Sequence, residues 1–185
     1  MKTTKEYLIT DLIERTQKNL NAATRFKELP TEVLNWKMDA EKWSILECLE
    51  HLNRYGDFYI PEIKRQIEKS KYPASDNFRS GWLGNYFANA MLPGKPKMKT
   101  FRSMNPANSQ LSSSVIDHFI QHQHQLLNLL DEARGTNLSK VRTGITISRW
   151  ITLRLGDTLR VVIYHNQRHI EQANRNLQIY KADLQ

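Results

Sequence analysis

His165 and His169 stand four residues apart in the run Tyr164-His165-Asn166-Gln167-Arg168-His169-Ile170-Glu171-Gln172, which reads as helix. On a helix that spacing stacks the two rings on one face, one turn apart. Two imidazoles so placed can close on one metal ion, as they do in the zinc-protease helix. That motif needs Glu directly after the first histidine; here the position is Asn166, so its general base is missing. The pair also lacks a third ligand. His118 and His122 repeat the spacing and are the rival pair.

The elements that must position these rings follow from hydrophobic periodicity. A first helix is expected from Lys5 to about Phe26, carried by Tyr7, Leu8, Leu12, Leu20, Ala23 and Phe26 and stopped before Pro30. A connection with Trp36 leads to the second. There Ser44 and Glu47 form a capping box, and Trp43 and Cys48 stand where a hydrophobic staple puts its members. Ile45, Cys48, Leu49, Leu52, Tyr59, Ile63 and Ile67 make its apolar stripe, with a kink expected at Pro61 and an end near Tyr72. His51 lies beside that stripe, one turn after Glu47 and one before Tyr55. It is therefore expected on the inner side of the helix.

Residues 74–106 form a long crossover. Phe78, Trp82, Leu83, Tyr86, Phe87, Met91 and Leu92 predict a short amphipathic helix, ended by Pro93-Gly94. Lys95, Lys97, Lys99 and Arg102 then make a basic loop interleaved with Met98 and Phe101. Such a loop can meet nucleic acid, or simply lie over a helical core as a long connection; the second reading is preferred. The third helix is expected over 109–133, capped by Gly135. Phe119 and Leu126 fix its buried face. That turns His122 inward and leaves His118 and His124 solvated. A loop follows, with a short extended piece at Ile145-Thr146-Ile147, and the fourth helix starts near Leu155. Leu155, Leu159, Val162, His169, Ala173 and Leu177 trace its core face, with His165 on the flank and Gln172 on the same side.

Four long amphipathic helices with one long crossover predict an all-α four-helix bundle in a single domain, residues 1–185. Bundles build metal sites from side chains on facing helices. His51, the one histidine of the second helix, then becomes the missing partner. His51, His165 and His169 would give a divalent ion three nitrogens and leave a position open, as in catalytic rather than structural sites. Glu47 and Gln172 are candidates to orient the rings, or are ordinary helix-surface residues. Arg168 could meet an anionic cofactor, or be solvated. Cys48 is a core residue by its stripe position.

Composition bounds the alternatives. A chain of 185 residues can bury a real core, and its single cysteine excludes an internal disulfide and suits a reducing compartment. No apolar run approaches the ~18 residues of a membrane span, and Met1 to Glu6 lead into helix without a signal-peptide core. A cytoplasmic protein is expected, with no membrane partner. The net charge of +8 favours acidic partners.

At these same residues the sequence resembles a known family. Trp43-Ser44-Ile45-Leu46-Glu47-Cys48-Leu49-Glu50-His51-Leu52 is similar to the second-helix motif of the DinB superfamily. His165 to Gln172 is similar to its fourth-helix motif. Gly84-Asn85-Tyr86-Phe87 and Lys97-Met98-Lys99-Thr100-Phe101 resemble the crossover of one branch. The resemblance implies an up-down-down-up bundle, often dimeric. It also implies a divalent metal, zinc or nickel, on histidines matching His51, His165 and His169. Characterised relatives use a low-molecular-weight thiol (bacillithiol, mycothiol or glutathione) in S-transfer or isomerisation, while many members have no known activity. The function so implied is a metal-dependent thiol S-transferase acting on a small electrophile, with a non-catalytic metal-binding or stress-related interaction module as the alternative. A nucleic-acid binder is the less favoured third reading.

Overall fold

The computed structural model describes residues 1–96 and 99–183, and at Arg149 the backbone course only. Lys97 and Met98, two members of the expected basic loop and of the 97–101 motif, lie outside the described residues. The chain is mostly helical. Six α-helices occur among the described residues: α1 (Lys5–Phe26), α2 (Thr31–Asn35), α3 (Ile45–Glu68), α4 (Trp82–Met91), α5 (Ser114–Ala133) and α6 (Leu155–Asp183).

The four long helices, α1, α3, α5 and α6, enclose the core. Each packs against two others: α1 and α3 each touch both α5 and α6. Their apolar stripes meet in two buried clusters. One is centred on Leu12, Ile63, Leu130 and Leu159, the other on Phe26, Leu49, Phe119 and Ala173. Local signals set the helix starts. The Thr4 hydroxyl accepts from the Tyr7 amide at 3.2 Å and opens α1. Both halves of the capping box form at α3: the Glu47 amide donates to Ser44 Oγ at 3.1 Å, and the Ser44 amide to Glu47 Oε2 at 2.8 Å. A cap of this kind stabilises a helix by about 1 kcal/mol, which matters here because α3 carries His51.

Several elements differ from the sequence expectation. The connection before α3 holds the short helix α2. Phe78, expected in the crossover helix, lies instead in β2 (Asn77–Arg79), which pairs antiparallel with β1 (Lys2–Thr4). Its ring is buried while Trp82, the first residue of α4, is 84% exposed, so the apolar stripe of α4 starts later than the sequence suggests. The third long helix begins at Ser114 rather than near Ser109, because Ser109 is held in a turn by Pro106 O. The piece around Ile145-Thr146-Ile147 is the tip of a hairpin, β3 (Arg142–Ile145) against β4 (Ser148–Arg154). Among the described residues the architecture is thus helical with two small two-stranded sheets. The hairpin is docked on α3: Glu62 Oε1 accepts from the Gly144 amide at 2.8 Å, and Tyr59 Oη lies 3.4 Å from Thr146 Oγ1.

The crossover is clamped to α6. Asp157, fully buried, accepts from the Gly81 amide at 2.8 Å and from Ser80 Oγ, and pairs with Arg160 at 3.3 Å. Arg160 also reaches Asn85 Oδ1 at 3.1 Å. A Cβ on Gly84 would stand 2.4 Å from Asp157 Oδ2, so glycine at this position is what lets α4 lie directly on α6. The consequence is a fixed roof over one end of the core.

Candidate metal centre

His51 arrives from α3, and His165 and His169 arrive from successive turns of α6. Their rings converge. The centroid of His51 lies 5.0 Å from that of His165 and 4.7 Å from that of His169, and the α6 pair is 4.7 Å apart. One nitrogen from each ring falls within 4.8 Å of the others. His51 Nε2 and His165 Nε2 are 3.1 Å apart. Donors bound tetrahedrally at about 2.0–2.1 Å stand roughly 3.3 Å from one another, so this separation is that of a coordination edge.

The outer nitrogens fix the tautomers. His51 Nδ1 lies 2.7 Å from Met104 O. A carbonyl oxygen only accepts, so Nδ1 carries the proton and Nε2 keeps its lone pair. His169 Nδ1 donates in the same way to Gln172 Oε1 at 3.0 Å, which turns its Nε2 inward. Two lone-pair nitrogens therefore face His165, one from α3 and one from the next turn of α6 itself, within aromatic walls. That donor set suits a cation better than it suits itself, and neutral imidazole is a ligand for zinc and nickel. Protons are kept out by the same burial. Desolvation is the first cause that pushes His51 down to about 4 and His169 to about 3, and the neighbouring rings and Arg168 add to it at His169 and at His165, which is also pushed well down. All three are neutral at pH 7, the form that binds metal.

The walls are aromatic. Trp43 packs on His51 and His169 at centroid distances of 4.7 and 5.6 Å, and Tyr55 packs on His51 and His165 at 5.0 and 4.9 Å. The rings open into a cavity of about 630 Å³. Phe87 and Met91 of α4 and Thr100 and Phe101 of the following loop line it on one side, and Ile145 and Ile147 of the hairpin on another. Lys42 and Arg175 contribute positive charge to the lining.

The remaining sequence candidates fall differently. Among the described residues the Glu47 carboxylate hydrogen-bonds no histidine: it is buried, accepts from the amides of Ser44 and Asn108, at 2.8 and 2.7 Å, and pairs with Lys37 at 3.3 Å. Met104 O serves His51 instead, and no side-chain reading of the sequence points to a backbone carbonyl. The Arg168 guanidinium donates to the carbonyls of Ala90 and Lys95, at 3.0 and 2.9 Å, and to Pro96 O at 3.1 Å. It therefore ties the end of α4 to α6. Cys48 is fully buried, and burial pushes its thiol up and out of reach of ionisation. His124 is exposed. His118, expected in solvent, is half-exposed and faces Asp57 together with His122.

Comparison with known proteins adds one finding. The family model described as the DinB superfamily matches residues 12–173. That span includes all three converging histidines and the whole crossover. No curated protein matches, and no solved structure matches.

Proposed function

This chain belongs to the DinB superfamily, and on that premise we propose that it is a divalent-metal-dependent enzyme that joins a low-molecular-weight thiol to a small electrophile. The metal, zinc or nickel, is held by His51, His165 and His169. The observation that carries the reading is the pair of outer hydrogen bonds, from His51 to Met104 O and from His169 to Gln172 Oε1, which turn two ring lone pairs toward His165 at the floor of a large cavity. Mere packing of histidines needs no such orientation.

A divalent ion at these nitrogens supplies positive charge that favours the thiolate of an incoming thiol at neutral pH. The chain's own residues do the rest. Trp43 and Tyr55 hold the rings and keep water from their flanks. Lys42 and Arg175 offer charge to an anionic thiol, while Arg168 holds the crossover in place rather than the substrate. The electrophile sits between α6 and the crossover, against Phe87, Met91 and Phe101. The four long helices are read as an up-down-down-up bundle forming one domain, working as a homodimer in the cytoplasm. No helix among the described residues is long and apolar enough to cross a membrane.

The test joins metal analysis to a conjugation screen. Purified protein is expected to carry a tightly bound divalent metal, lost in His51→Ala, His165→Ala or His169→Ala. Thiol conjugation should vanish on chelation and return with metal. Metallated protein that shows neither thiol binding nor turnover across a broad panel would make the non-catalytic metal-binding module the better reading. Full tight binding by His51→Ala would overturn the three-histidine site itself.

A further inference from the structure

A second set of metal-type donors lies on another face of α3, where it packs on α5. His118 and His122 stand one turn apart on α5, their ring centroids 4.3 Å from each other. Both aim Nε2 at one oxygen of Asp57 on α3: His118 at 3.1 Å and His122 at 3.3 Å. The three donor atoms lie within 4.8 Å of one another. Without an ion these are hydrogen-bond lengths, each Nε2–H donating to the carboxylate, and they are close to the roughly 3.3 Å edge of a tetrahedral site at bond lengths of about 2.0–2.1 Å, so an ion can replace the protons with little movement. We propose that Asp57, His118 and His122 form a second divalent-metal site that clamps α3 to α5, independent of the three-histidine centre.

The cluster is more than two solvated histidines near a carboxylate. The His122 side chain is only 8% exposed. Its ring fills the space left by Gly56: a Cβ there would stand 2.4 Å from His122 Nδ1. That nitrogen is buried and meets no partner among the described residues, so Nε2 alone does the polar work of the ring, and it points at Asp57. His122 is thus a locked donor, whereas Asp57 and His118 are reached from solvent, with side chains 57% and 43% exposed. An ion can enter without unfolding anything. Two imidazoles and one carboxylate suit a borderline ion such as Zn²⁺ or Ni²⁺ rather than Ca²⁺ or Mg²⁺, which prefer all-oxygen sites. Among the described residues the His122 ring has no outer acceptor of the kind that serves His51 and His169. This site should therefore bind more weakly than the buried one.

The experiment is a titration with Zn²⁺ of chelator-treated protein, followed by calorimetry and by thermal unfolding. Wild type should take two equivalents, one tight and one weaker. His165→Ala/His169→Ala should keep the weaker equivalent, and zinc should still raise its Tm. Adding His118→Ala to that variant should remove both the binding and the Tm rise. Asp57→Asn in the otherwise wild-type chain should weaken only the second equivalent, by more than tenfold. Asp57 and His118 are at the surface, so replacing them preserves the fold. A weaker equivalent untouched by both His118→Ala and Asp57→Asn would overturn the assignment, as would a wild type that binds the tight equivalent only. Loss of the tight equivalent alone would speak against the three-histidine centre and leave this site standing.

Discussion

Replacing Gln172 with leucine isolates the outer hydrogen bond of the buried centre. In the metal-free protein, His169 can answer the loss by moving its proton from Nδ1 to Nε2, where the neighbouring rings offer lone pairs. With metal on Nε2 that escape is closed, because Nδ1 must carry the proton and would face the apolar side chain of the introduced leucine. The bond being lost is 3.0 Å long and its donor ring is buried. An unmade buried N–H costs about 1–3 kcal/mol. Removal of such an outer partner lowers metal affinity about 10–100-fold, or roughly 1.4–2.8 kcal/mol, and the two figures agree. The expected result is therefore a 10–100-fold rise in zinc Kd, read by competition with a chromophoric chelator at pH 7. The Tm of the metal-free protein should hardly move. Gln172→Glu, which keeps an acceptor and adds charge, should bind at least as tightly as wild type. A Gln172→Leu variant within threefold of wild type, or one whose metal-free Tm falls as far as its affinity does, would refute the tautomer argument.

Three other outcomes are expected. Gly84→Ala should lower the Tm, because overpacking against buried Asp157 costs about 1–3 kcal/mol and outweighs the helix-propensity gain of about 1 kcal/mol; an unchanged or raised Tm would show that α4 can lift off α6 freely. Metal-free protein should lose stability as pH falls from about 6.5 toward 4, because the unfolded histidines protonate near 6.5 while His51 and His122 resist to about 4 and His169 to about 3. The unfolded state then binds more protons, so stability drops with acidification by up to about 1.4 kcal/mol per pH unit for each histidine, and a urea midpoint that stayed flat from pH 7 to 5 would contradict this. Nucleic acid should bind weakly, without sequence preference and with affinity lost as salt rises; a tight, selective complex at physiological salt in a mobility-shift assay would promote the basic loop from connection to interface.

Much of the scaffold is legible in the sequence because it is written in short-range chemistry. The stripe of α3 and the capping box at Ser44 and Glu47 need no information from elsewhere in the chain, and α1 stops before Pro30 for equally local reasons. What the sequence hides is pairing over distance. β1 and β2 are three residues each and 73 positions apart, from Thr4 to Asn77, so neither carries a pattern of its own. Phe78 looks like the first turn of an amphipathic helix until one sees that its ring is needed against α6, on the bare backbone of Gly156.

The candidate site divides along the same line. The histidine spacing on α6 and the inward side of α3 are helix properties, so the three rings could be picked out before their meeting was visible. Their outer partners separate by type. Gln172 is one turn beyond His169 on the same helix, and the helical repeat alone makes it a candidate. Glu47 satisfies that criterion for His51 equally well, yet it is spent: as the last member of the capping box it owes one oxygen to the Ser44 amide, and the Asn108 amide takes the other. The capping box thus carried its own warning that Glu47 was occupied. Met104 could not have been found, because a carbonyl is present at every residue and only the path of the crossover brings this one to His51. The same applies to Asp57, whose meaning depends on α5 lying beside α3 with His118 and His122 at matching height. Periodicity assigns His118 to the solvated side, and it is half-exposed; what periodicity cannot supply is the carboxylate on the neighbouring helix that covers it.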